Sequence, residues 1–67
     1  SKTTQTLTAN STTVDVAYTG TVVSTLAKDA TTGEQLIVDV DIASDKVTFS
    51  IAQVYANNIV CDVYALA

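Results

Sequence analysis

The chain has 67 residues, room for one domain at most, and sets seven carboxylates against Lys2, Lys28 and Lys46, for a formal charge of −4. Without clustered cations to displace counterions from phosphates, the composition argues against nucleic acid and anionic membrane surfaces as partners. A chain this short buries only about 60% of the surface its unfolded form exposes; Cys61 is the sole cysteine and histidine is absent, so neither a disulfide within the chain nor an ordinary zinc site reinforces it. The added support must come from oligomerisation, from docking onto a larger body, or from unusually idealised packing. No apolar run reaches the length of a membrane span or a signal-peptide core. Ser1 in first place fits synthesis inside a cell followed by removal of an initiator methionine.

Residues 1–13 are almost wholly Ser, Thr, Gln and Asn, with only Leu7 and Ala9 apolar. They read as a polar extended N-terminal arm preceding a single small β-domain over 14–67. The arm either adds a short strand near Gln5 to Ala9 or orders only on a neighbour. Asn10-Ser11-Thr12 matches a glycosylation sequon, read as chance in the absence of a secretory signal.

Val14, Val16 and Tyr18 alternate with polar or small residues, the period of a half-buried strand, and Thr19-Gly20 supplies the turn after it. Thr21 to Lys28 is the next strand, with looser parity: Val22 and Leu26 fall on one side, Val23 and Ala27 on the other. Asp29-Ala30-Thr31-Thr32-Gly33-Glu34 reads as a hairpin loop. Its aspartate can accept from backbone amides ahead of it, and Gly33 suits the left-handed position. The hairpin of 21–28 and 34–42 is therefore expected, with Leu36, Val38, Val40 and Ile42 on one face and Asp39 and Asp41 on the other.

Ala43 to Lys46 forms the next tight turn, and Val47, Phe49 and Ile51 mark another alternating strand. Gln53 to Asn58 reads as a loop with at most one helical turn. Ile59 to Leu66 is the last strand, with Ile59, Cys61, Val63 and Ala65 on one face and Val60, Asp62, Tyr64 and Leu66 on the other. Five strands and a possible sixth in short connections predict an all-β domain, a small antiparallel sandwich or barrel with meander or Greek-key connections. Its expected core is Val14, Val16, Val22, Leu26, Leu36, Val38, Val40, Ile42, Val47, Phe49, Ile51, Ile59, Cys61 and Val63. No proline guards an edge strand.

Chemistry-bearing groups are sparse. Without histidine the common Ser-His and Cys-His arrangements are excluded, and Cys61 lies on the apolar parity of its strand, where a thiol is inert. Asp39 and Asp41 share a face, and Asp15 and Asp62 oppose the apolar parity of their own strands. Were those strands neighbours, the carboxylates could gather around a hard cation such as calcium; the simpler reading is a wetted, soluble face. The expectation is no catalytic residues, no metal and no cofactor. Leu7 on the arm, with Val23, Ile37, Val60, Tyr64 and Leu66 opposite the expected core, are the candidate interface residues. Either a second layer covers that face or another chain does.

The succession of Tyr18-Thr19-Gly20-Thr21, then VVSTLAKDATTGEQLIVDVDI, a short turn and KVTFSIA resembles a small β-domain of tailed-bacteriophage virion proteins. The likeness spans residues 12–66. The first turn is shorter than that family's usual form, and QVYANN lacks its proline- and alanine-rich stretch. The resemblance implies a non-enzymatic structural subunit of the virion, decorating the capsid or belonging to the tail. It also implies a homo-oligomer in contact with other virion proteins, made in the host cytoplasm. A binding module for a glycan or host-surface protein, cation-assisted through Asp39 and Asp41, is the alternative.

Overall fold

The structure is a computed structural model that describes all 67 residues. Its seven strands are β1 Lys2–Leu7, β2 Thr13–Ala17, β3 Thr21–Asp29, β4 Gln35–Leu36, β5 Asp39–Ile42, β6 Lys46–Ser50 and β7 Ile59–Leu66. A four-stranded sheet in the order β1-β7-β3-β4 packs on a three-stranded sheet in the order β2-β6-β5, and every pairing is antiparallel. The all-β expectation holds, and no helix interrupts residues 51–58.

The strand count exceeds the expected five to six for two reasons. The polar N-terminal segment is a full strand, beginning before the expected Gln5, and pairs along its whole length with β7, from Lys2 opposite Tyr64 to Leu7 opposite Ile59. The second reason lies in residues 34–42. Only Gln35 and Leu36 pair back onto Lys28 and Ala27; the chain then crosses at Ile37-Val38 to the other sheet, where Asp39–Ile42 pairs with β6. The expected hairpin is thus two residues long, and what read as one strand serves two sheets.

Parity in β3 is loose because of a bulge. Val22 lies opposite Ala65 and Ser24 opposite Tyr64, so Val23 has no partner and the alternation resets. Val22, Thr25, Ala27 and Asp29 then face inward opposite Ala65, Val63, Cys61 and Ile59, and Leu26 turns outward opposite Asp62.

The buried apolar residues are Leu7, Val16, Ala27, Val47, Phe49, Ile59, Cys61, Val63 and Ala65. Val14, Val22, Leu36, Val38 and Ile51 pack at its margin as partly buried side chains. Three expected members are absent: Leu26, on the outer face opposite Asp62, and Val40 and Ile42. Val40 and Ile42 sit on the inward face, opposite the fully buried Phe49 and Val47, yet are 39% and 54% exposed. β4 is too short to cover them, and β3 has no partner from Thr21 to Leu26 on its β4 side. Leu7, Ala27 and Ala65 take their place in the core. β1 and β2 meet at the closed margin of the sandwich, whereas the β3–β4/β5 margin is open.

Two glycines close turns with positive φ, and they differ in what surrounds them. At Gly20 (φ +91) a Cβ would lie 2.0 Å from the Leu66 carbonyl oxygen, where β3 begins its pairing with β7. At Gly33 (φ +77) a Cβ would meet nothing within 4 Å. Gly33→Ala should therefore cost only the left-handed conformation, about 1–2 kcal/mol. Gly20→Ala must also displace backbone and should cost on the order of 3–5 kcal/mol. Urea unfolding of the two variants checks the order, and equal losses would contradict it.

Candidate functional site

The only convergence of polar groups in the interior is built on Asp29. It ends β3 on the inward face, 1% exposed, at the opening of the 29–34 loop. One carboxylate oxygen, Oδ1, accepts from the Thr31 and Thr32 amides at 2.7 and 3.1 Å. The other, Oδ2, accepts from the Tyr55 hydroxyl at 2.6 Å and from Asn57 Nδ2 at 3.0 Å. The main chain of the same residue closes the loop, its N–H donating to the Glu34 carbonyl and its carbonyl accepting from Gly33, each at 2.8 Å.

Two further loops join this hub. The Ala30 amide donates to the Asn58 carbonyl at 2.9 Å, and the Ala9 amide donates to Asn58 Oδ1 at 2.8 Å. The Asn10 amide, from a residue with φ of 70, donates to the Tyr55 carbonyl at 3.3 Å. Loops 8–12, 29–34 and 51–58 are thereby tied together at one end of the sandwich. Hydrogen bonds from Tyr55, then Asn57, outweigh burial and hold the Asp29 carboxyl down to about 2, against an ordinary 3.8. The same bond raises the Tyr55 phenol. Each oxygen of this carboxylate already accepts two hydrogen bonds from the chain itself, so the cluster acts as a fastening of loops.

The other carboxylates do not gather. Asp15, on β2, accepts from Thr48 Oγ1 at 2.7 Å and pairs with Lys46 Nζ at 3.4 Å across the exposed face; the Thr48 bond chiefly lowers its carboxyl. Asp41 lies on the opposite side of Thr48, two strand spacings from Asp15, about 10 Å. Asp62 belongs to the other sheet, buried beneath Thr4, whose hydroxyl donates to it at 2.5 Å. The strands of Asp15, Asp41 and Asp62 are not neighbours, so the condition for a shared cation is not met: no three acidic or thiol groups come together. Asp39 and Asp41 stand at the free edge of β5 with no hydrogen-bonding or ionic partner among the side-chain contacts of the chain.

The candidate interface residues separate as well. Leu7 is a core residue facing Ile59, so it offers no surface to another chain; its isolation among polar neighbours marks the inward side of a strand. Val60 and Tyr64 are half-buried on the outer face of the four-stranded sheet, and the bulged Val23 and terminal Leu66 are exposed near its Gly20 end. Ile37 lies apart, at the crossing between sheets, and is 99% exposed. Beside it, Thr25, Leu26, Val38, Val40 and Phe49 line a shallow crevice of about 200 Å³. The sandwich is only 15 Å across its thinnest dimension, which leaves no depth for an enclosed pocket. Comparison with family models, curated proteins and solved structures finds no match.

Cys61 is buried on the inward face of β7, and burial pushes its thiol up to about 11. A thiol reagent at neutral pH should modify it only on global opening, and the labelling rate should follow urea concentration as the unfolding equilibrium does. Fast labelling without denaturant would show that the core opens locally.

Asp29 sets a pH signature. A carboxyl lowered in the folded state lends stability that is full above its unfolded value and is lost as pH falls through the folded value, here between about 4 and 2. The melting temperature should fall in that window, and Asp29→Asn should flatten the fall while lowering stability at pH 7. Asp15 contributes in the same direction, so a profile unchanged by Asp29→Asn would assign the effect to other carboxylates.

Proposed function

We propose that this chain is a non-enzymatic structural subunit that acts through protein–protein contacts, and that its setting is a bacteriophage particle, on the capsid or the tail. The observation that carries the contact role is the apolar surface left along the open margin, where Ile37, Val40 and Ile42 remain exposed beside the crevice over Phe49. A domain this small gains stability when such a surface is covered, and contiguous exposed apolar area is characteristic of interaction sites. The one buried polar cluster is spent on joining loops, which supports a scaffold over a reaction centre. The phage setting rests on the likeness of residues 12–66 to virion β-domains.

Chemical cross-linking and sizing of purified particles test the proposal. The chain should co-purify with virions and cross-link to itself or to another virion protein, as a symmetric, multiply bonded assembly would. A chain found only as a free monomer, never on particles, would overturn it.

A further inference from the structure

The open margin has two unpaired strand edges. β5 is the last strand of its sheet, and β3 has no partner from Thr21 to Leu26 on its β4 side. Unpaired edges present backbone donors and acceptors that another strand can satisfy. Between them runs the crevice, lined by Phe49 and, from β5, by Val40, with Ile42 two residues on along the same inward face.

β5 carries two chemistries in alternation. Val40 and Ile42 lie on the inward face, and Asp39 and Asp41 face the other way, beside Ser50 and Thr48 of β6. The only lysine on this face, Lys46, is engaged with Asp15 at the far margin. A guard against edge-to-edge aggregation would account for the two aspartates, since charge on an edge strand discourages pairing. It does not account for the apolar side chains exposed on the inward face of the same strand. A second copy of β5 is a poor occupant, because antiparallel self-pairing sets aspartate beside aspartate, and like charges across a ladder repel.

The geometry points to the β5 edge as a docking site for an extended segment of a partner protein that alternates apolar and basic residues. The inference rests on the contact role proposed above and specifies the partner's chemistry. The apolar residues of the segment enter the crevice beside Val40 and Ile42, its basic residues lie next to Asp39 and Asp41, and its backbone continues the β2-β6-β5 sheet by one strand.

Two synthetic peptides test this, one alternating lysine with valine and one alternating glutamate with valine, each titrated into isotope-labelled protein and followed by amide shifts and hydrogen exchange. The lysine peptide should bind, shift Asp39–Ile42 and slow exchange of the β5 amides that point away from β6, and the glutamate peptide should not. Asp39→Lys/Asp41→Lys should weaken the lysine peptide by roughly tenfold or more and favour the glutamate one. Val40→Thr/Ile42→Thr, at positions exposed enough for the variant to fold, should also weaken the lysine peptide.

Absence of binding, equal binding of both peptides, indifference to the charge reversal, or shifts confined to other strands would each overturn the inference. So would concentration-dependent dimerisation through β5, which would make a second copy the occupant. None of these outcomes bears on whether the chain is found on particles, so the two proposals fail separately.

Discussion

The Asp29 carboxylate is the constraint on which one end of the molecule depends. Four donors from two segments converge on its two oxygens, and the Asn58 side chain and the main chain of 9, 10 and 30 complete the junction. The 29–34 loop, which joins β3 to β4 within one sheet, carries almost no hydrophobic residue, so these bonds are what tie it to the connection 51–58 between the sheets. A buried carboxylate is tolerated there because every donor aimed at it is a fixed part of the fold. Hydrogen bonds to the charged form are what make burial of the charge favourable. The cluster therefore belongs to architecture, although its composition could suggest a site.

At the other extreme lies the margin between β3–β4 and β5, where covering is incomplete. The two-residue β4 is the direct cause: the chain leaves the first sheet at Ile37 before it has paired with more than Ala27 and Lys28. The first sheet thus stops short of the face that Val40 and Ile42 present. One end of the sandwich is fastened by polar bonds and one margin is left apolar and unpaired, so the rigid and the receptive parts of the domain are spatially distinct.

Alternation of apolar residues made β2, β6 and β7 legible, because each of these strands buries one face without interruption. Gly33 and Asp29 announced their loop correctly, down to the aspartate accepting from amides ahead of it. What was not legible was longer in range. The polar composition of β1 concealed a strand, since an edge strand needs only Leu7 to anchor it. A bulge at Val23 has no sequence mark beyond the broken parity it causes. Continuous alternation from Leu36 to Ile42 gives no sign that the chain changes sheets midway, and for that reason it overstated the core. Tyr55 and Asn57 sat in a segment read only as loop; polar residues able to reach a loop-opening aspartate were the available signal.

The pairing of β1 with β7 carries a consequence for how the chain reaches this state. Thr4 and Asp62 are 58 positions apart, and β7 sits between β1 and β3 as the strand both depend on. During synthesis the earliest of the seven strands emerges with nothing to pair with until the latest has been made. Folding of this sheet must then follow translation of β7, and such a non-local topology folds in milliseconds to seconds. In that interval β1 is a polar, soluble ribbon with a single leucine to hide. The threonine-rich composition that disguised it as an arm is also what lets it wait without aggregating.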